Sequence, residues 1–308
     1  MVSLKKLGVY NQEPSSSVNN EYSTSQYAFR QPCLHYIVGN RTAGKSFLTS
    51  KLLAQAKRDK TFDVIYIVTP SFSSNKAYFD KYILPENVYE PTKESIGLVI
   101  QRVEDDKNEW EQFLQDKIKY EEFKQSIKRR TNNTDENIMY YFDRGFYDSP
   151  PKWKYETEVP PRSMLILDDV IGTPAILQSS GLQRLAIANR HLSPLAVNHK
   201  ERSACGLAVV ILAQSYKFQS GVGRLIRENL SLFTLFLNKQ TRQMDSICEE
   251  LGSTVDEDRF RAAYDIATKE KYGNLTVDFK FKCETLQFRK NLNEAIVFPD
   301  MICTCNNK

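Results

Sequence analysis

Gly39-Asn40-Arg41-Thr42-Ala43-Gly44-Lys45-Ser46 fits G-x-x-x-x-G-K-[ST] at every fixed position. On its N-terminal side, Cys33-Leu34-His35-Tyr36-Ile37-Val38 is a short apolar run that reads as a buried strand. On its C-terminal side, Lys45 to Arg58 places Phe47, Leu48, Leu52, Leu53 and Ala56 at helical spacing. The eight residues therefore join a strand to a helix, the context in which this pattern binds phosphate. Two glycines allow a tight turn whose backbone N–H groups face phosphate oxygens, and the helix N-terminus adds partial positive charge. Lys45 can then reach the terminal phosphates of a bound ATP, and Ser46 can place its hydroxyl on Mg²⁺.

The remaining chemistry follows from what ends the other strand candidates. Phe62 to Thr69 is the second, closed by Pro70 and a Ser/Asn cluster. Met164-Leu165-Ile166-Leu167 ends in Asp168-Asp169, and Leu207 to Ala213, the most strand-like run of the chain, ends in Gln214-Ser215. Parallel strands deliver their C-terminal residues to one sheet edge, so Asp168 is placed to hold the magnesium and Asp169 to deprotonate the attacking water. Gln214 is placed to hydrogen-bond the γ-phosphate or its water. Strand, loop, helix and strand in this order imply an α/β fold with a mainly parallel central sheet flanked by helices.

Composition sets the limits. The chain has 308 residues, 41% hydrophobic and 26% charged, with a net charge of +4. It can bury a large core, and no apolar run approaches the roughly 18 residues a membrane span needs. Met1 to Tyr10 has no apolar signal core, so the expectation is an intracellular protein that is not secreted. The six cysteines, Cys33, Cys205, Cys248, Cys283, Cys303 and Cys305, show no paired C-x-x-C spacing and read as reduced thiols. The histidines, His35, His191 and His199, form no metal pattern. With so small a net charge, a nucleic-acid partner would have to meet a local basic patch.

Along the chain, residues 1–30 are rich in Ser, Asn, Gln and Tyr without sustained period and read as a flexible arm. Residues 31–300 form the α/β domain and 301–308 a tail. Between the second and third core strands, residues 92–162 read as an insertion. Its first part, with Ile96, Val99, Val103, Trp110, Phe113, Leu114, Ile118 and Ile127 three, four or seven apart, predicts one long helix or two shorter ones. Asp135 to Arg162 mixes Tyr140, Tyr141, Phe142, Phe146, Tyr147, Trp153 and Tyr155 with both signs of charge, and four prolines break it. Rings interleaved with cations can touch nucleic acid, but the acidic residues dilute the charge, which favours rings packed on the sheet edge. Gly181 to Leu192 reads as a helix, Gly221 to Asn229 as a short basic helical link, and Leu230 to Leu237 as a strand. Helices over Thr241 to Leu251 and Asp256 to Lys269 follow, then strands over Leu275 to Phe281 and Thr285 to Arg289.

In this order, loop, Asp-Asp strand, Gln-ended strand and the Arg-rich link Arg224-Leu225-Ile226-Arg227-Glu228-Asn229 resemble the genome-packaging ATPases of large DNA viruses, members of the FtsK–HerA group of DNA-pumping ring motors. The resemblance covers Cys33 to Leu84 and Met164 to Phe298, including Asn189-Arg190-His191 and Phe288-Arg289-Lys290-Asn291. It implies a RecA/FtsK-like P-loop NTPase that hydrolyses ATP with Mg²⁺. It implies double-stranded DNA as the substrate moved, a homo-oligomeric ring, and a capsid or portal protein as a further partner at a viral assembly site. It also implies Asp168 as magnesium ligand, Asp169 as catalytic acid, Gln214 as sensor, and an arginine finger for the neighbouring subunit at Arg190 or Arg227. Alternatives are a helicase or DNA-partitioning ATPase of the same group, or a non-hydrolytic ATP-binding adaptor.

Overall fold

A computed structural model describes residues 3–6, 22–24, 27–129, 134–170, 172–199, 202–217, 221–238, 240–252 and 254–301. The chain opens with strand β1 (Ser3–Lys6) and reaches β2 (Leu34–Val38), α1 (Lys45–Arg58), β3 (Val64–Val68), α2 (Phe72–Phe79) and the two-residue β4 (Val88–Tyr89). Helices α3 (Ser95–Arg129) and α4 (Asp135–Asp143) precede β5 (Ser163–Asp168), α5 (Pro174–Leu177) and α6 (Ser180–Ala188). A hairpin of β6 (Pro194–His199) and β7 (Arg202–Ala204) leads to β8 (Leu207–Ala213), α7 (Gly221–Glu228), β9 (Leu232–Phe236), α8 (Thr241–Leu251) and α9 (Glu257–Thr268). The chain closes on β10 (Asn274–Asp278), β11 (Phe288–Lys290) and β12 (Glu294–Val297).

One ten-stranded sheet organises all of this, in the order β1-β12-β11-β10-β9-β2-β8-β5-β3-β4. From β9 to β4 every pairing is parallel, and from β1 to β9 every pairing is antiparallel. Helices lie between the parallel strands, and short connections join β10, β11 and β12 into an antiparallel meander, while β10 runs antiparallel to β9 although α8 and α9 connect the two. β2 lies between β8 and β9 with Leu34 opposite Val209 and Tyr36 opposite both Ile211 and Phe233.

Side chains alternate across the sheet, so each face has its own core. Tyr36, Val38, Leu165, Leu167, Val209 and Ile211 face helices α3 and α6 to α9. Ile37, Ile166, Val210 and Leu212 face Leu48 and Leu53 of α1 and Phe79 of α2. Burial on both faces is why these strands read as unbroken apolar runs rather than alternating ones.

Four expectations are narrowed or change. The first 30 residues are not a free arm where they are described: β1 pairs with β12, and Tyr22 pairs with Gln31 and is buried. Tyr22 lies under two guanidinium groups, Arg202 at 5.2 Å and Arg162 at 5.7 Å from its ring centre. Arg162 is itself tied to Asp63 by a buried ion pair at 3.0 Å, and Arg289, 4.2 Å from the Phe29 ring centre, donates to the Tyr27 carbonyl. Aromatic and cationic residues thus dock a polar segment that has no hydrophobic period of its own. Second, residues 92–129 hold one continuous helix, α3, of 35 residues. Its first half is buried on the sheet through Ile96, Val99 and Val103, while Ile118 and Ile127 are exposed. Third, the rings of 92–162 pack chiefly on one another rather than on the sheet edge. Phe123, Tyr141 and Phe146 form one cluster, and Trp110, Phe113 and Trp153 another, with Trp110 and Trp153 5.1 Å apart edge-on. Near the end of the chain, the strand expected over Thr285 to Arg289 begins only at Phe288, because 284–286 is a 3₁₀ turn. Cys303 and Cys305 lie outside the described residues.

One polar chain crosses the core. His35 Nε2 is 2.7 Å from Thr234 Oγ1, which is 2.7 Å from Thr276 Oγ1. Burial pushes the imidazole down from its ordinary value of 6.5 to about 3. Only the unfolded chain takes up this proton between those values, so His35 contributes stability above pH 6.5 that is lost progressively as pH falls toward 3. His35→Gln is expected to lose less thermal midpoint than wild type between pH 7 and pH 5. Equal losses in a scanning-fluorimetry comparison would show that His35 does not titrate in this window.

Candidate functional site

The Gly39 to Ser46 loop joins β2 to α1 as the sequence predicts. Its start is fixed by Gly39 N–H donating to the Ala213 carbonyl at 3.1 Å, which ties it to the end of β8. Thr42 and Gly44 take left-handed φ values of 62° and 103° and reverse the chain into the helix. Each glycine has its own requirement. A Cβ at Gly39 would come within 3.0 Å of Phe236, whereas at Gly44 the backbone angle itself selects glycine. Among the described residues no side chain caps the N-terminus of α1 and its first turn holds no acidic residue, so the positive end of its dipole is not neutralised from within the helix.

Lys45 folds back over this loop and donates to the carbonyls of Gly39 at 2.7 Å and Asn40 at 3.2 Å. Partial burial lowers its pKa, opposed by the charges of Asp169 and Asp168. Asp168, at the end of β5, is only 4% exposed. It accepts from Asn75 Nδ2 at 2.9 Å and from Thr69 Oγ1 at 3.2 Å. Burial raises its pKa, the two donors and Lys45 oppose this, and the charge of Asp169 adds to it. Asp169 stands in the left-handed region at φ 56°, and Gln214 Nε2 donates to both its carboxylate oxygens at 2.9 Å. Behind Gln214, the Tyr36 hydroxyl donates to the Ser215 carbonyl at 2.7 Å and holds the end of β8 in place.

The C-terminal ends of β2, β5 and β8 thus bring together the glycine-rich loop, Lys45, Asp168, Asp169 and Gln214. The arginine candidates lie apart from them. Arg190 is exposed in a 3₁₀ turn whose neighbour Asn189 donates to the Leu207 carbonyl, at the opposite end of β8. Arg227 sits on α7, with its Nε 2.6 Å from Glu250 and its guanidinium 5.3 Å from the Tyr216 ring centre. Arg224, also on α7, pairs with Glu228 at 2.6 Å.

Chemically, the site offers one cation and a row of amides to phosphate, one buried and one exposed carboxylate, and an amide. Among the described residues no group of three or more His, Cys, Asp or Glu side chains could hold a metal by itself. The donors at hand are the Ser46 hydroxyl and the Asp168 carboxylate. Both are hard oxygen ligands, and so few of them suit a cation that keeps water and phosphate oxygens in its shell, as Mg²⁺ does. Sequence reasoning missed Thr69, Asn75, Phe236 and Tyr272. Thr69 carried a usable signal, since it ends an apolar strand just as Asp168 and Gln214 do. Asn75 lies on a helix and Tyr272 in a turn, where no periodic pattern marks them.

No protein-family model matches the chain, and no curated protein sequence is similar to it. Solved structures are similar in fold. The genome packaging NTPase B204 from Sulfolobus turreted icosahedral virus 2, in complex with AMPPCP, is 13% identical with a TM-score of 0.43, over 84% of this chain and 96% of that one. The pCW3 conjugation coupling protein TcpA is 12% identical with a TM-score of 0.36, over 69% of this chain and 51% of that one. The cytoplasmic domain of the Thermomonospora curvata type VII secretion ATPase EccC is 11% identical with a TM-score of 0.37, over 87% of this chain and 26% of that one. At these values no residue's role is carried over from them; the roles rest on the geometry above.

Because burial raises the Asp168 pKa, its ionised form costs folding stability at neutral pH, and that cost disappears as pH falls below the ordinary carboxylate range. Asp168→Asn is therefore expected to raise the thermal midpoint at pH 7. The gain should shrink toward pH 4. A lower midpoint for the variant at pH 7 would show that the carboxylate is stabilised where it stands.

Proposed function

We propose that the chain is a Mg²⁺-dependent ATPase whose hydrolysis drives double-stranded DNA into a viral capsid, working as a homo-oligomeric ring at a viral assembly site. The observation that supports hydrolysis is the convergence of Lys45, Asp168, Asp169 and Gln214 beside the glycine-rich loop. The resemblance of Asp168-Asp169, Leu212-Ala213-Gln214-Ser215 and the Arg224 to Asn229 link to packaging ATPases supports DNA as the cargo and a capsid or portal partner. In this reading residues 92–162 are an insertion into the motor domain.

The chemistry follows from the groups present. The loop amides and α1 N-terminus bind the phosphate chain, and Lys45 exchanges its Gly39 and Asn40 carbonyl partners for phosphate oxygens. Ser46 and Asp168 would hold magnesium, which would supply neutralising charge to the phosphates. Asp169 accepts a proton from water as the water oxygen bonds to the γ-phosphorus and the bond to the bridging oxygen breaks. Gln214, which grips both Asp169 oxygens, orients that carboxylate and the water beside it. Closure of the site falls to an arginine of the neighbouring subunit, Arg190 or Arg227. Arg190 is exposed and available across an interface, whereas Arg227 must first leave Glu250.

Phosphate release with Mg-ATP, with and without linear duplex DNA, tests the proposal. Lys45→Ala and Asp169→Asn are each expected to lower turnover at least about 100-fold with the circular-dichroism spectrum unchanged. Duplex DNA should stimulate only the wild-type protein. Turnover indifferent to DNA would remove the cargo, and normal turnover in Lys45→Ala would remove the site. Nucleotide binding without phosphate release in the assembled protein would leave an adaptor.

A further inference from the structure

We infer that Tyr272 is the platform on which the base of the nucleotide stacks, an assignment that rests on the ATP reading above. The argument starts from direction. Asp168, Asp169 and Gln214 end β5 and β8, on one side of β2, so the terminal phosphate points that way. The phosphate chain crosses the loop, and the sugar and base must leave on the other side of β2, over Gly44 and toward β9 and β10. Two aromatic residues stand there. Phe236 ends β9 and is buried against Gly39, where it closes the floor. Tyr272 comes two residues before β10, and its ring and Cβ lie 3.7 and 3.9 Å from where a Cβ on Gly44 would be.

Neither burial nor backbone preference explains a tyrosine at this position. Tyr272 is 56% exposed, so packing within the protein covers only part of it and leaves surface open to a ligand. Its φ of 66° is left-handed, which strains a residue with a Cβ and is met most easily by glycine or asparagine. Gly273 does not relieve this position; it serves a different need, since a Cβ there would strike the Ala267 carbonyl at 2.3 Å. The turn therefore holds an aromatic residue in strain, half in solvent, beside the phosphate loop. Lys271 Nζ lies 4.9 Å from the ring centre, which adds positive charge next to the same surface. A flat ring so placed offers a base a stacking face, which discriminates little between bases because every base has a π-face.

The test measures binding of Mg-ATP, Mg-GTP and inorganic tripolyphosphate to the full chain by calorimetry. Tyr272→Ala is expected to weaken ATP and GTP alike by about tenfold, as loss of one stacking contact predicts, with tripolyphosphate affinity unchanged. Tyr272→Phe should bind as wild type does. Tyr272→Gly, which suits the left-handed backbone, should fold and show the same selective loss, so that misfolding cannot account for it. Unchanged ATP affinity in Tyr272→Ala and Tyr272→Gly, with wild type binding ATP, would overturn the platform and leave the ATP site intact. Equal losses of ATP and tripolyphosphate would also overturn it, because the ring would then only support the loop. Failure of wild type to bind either ligand would overturn both this inference and the ATP reading.

Discussion

The parallel pairing of β2 between β8 and β9 is the constraint on which everything else depends. Its register sets Val38 beside Ala213 and Leu235, so that strand ends, and not strand interiors, form the site. Because β2 is buried on both faces, a slip of one residue would exchange its two core surfaces, pushing Tyr36 toward α1 and Ile37 toward α7. The hydrogen bond from Gly39 to Ala213 then fixes the first residue of the loop relative to Gln214, one residue further on. The precision of the site is inherited from the sheet.

The site's own interactions set a second theme. Lys45 and Asp169 are each satisfied within the protein, the first by two carbonyls and the second by one amide. A substrate must compete with these partners, so the free energy of binding is spent partly on releasing them. Asp168 is different, since it is buried and its two donors do not offset the loss of water. Such a carboxylate gains most from a cation arriving beside it. Its folding cost and its readiness for a metal have one physical origin.

Much of this was legible in the sequence where chemistry coincides with a periodic pattern. An apolar run followed by a glycine-rich loop, by Asp-Asp or by Gln announces both a buried strand and what it presents at its end. The signal fades where contacts are nonlocal. Nothing in Ser3 to Lys6 names Glu294 to Val297 as its partner, and nothing in Asn75 on α2 names Asp168. The aromatic residues of 140–155 show no clear period because they pack against rings of α3 and against one another, and not along one face. Arg289 stands in a stretch that carries the resemblance, yet its guanidinium donates to the Tyr27 carbonyl and the Asp278 carboxylate, a packing role.

The pairing of β1 with β12 also has a meaning in time. Ser3 faces Val297, so β1, made before every other described strand of the sheet, waits for β12, made after them. At about 5 to 20 residues per second this wait is on the order of 15 to 60 seconds. Through that interval Ser3 to Lys6 has no ladder to join, and once β12 is made its outer edge stays open until β1 docks. Docking there pairs the open amides and carbonyls of β12 and moves the edge of the sheet to the four-residue β1, too short a strand to template much further pairing. This pairing is thus a late event, joining the earliest made of the described strands to the last.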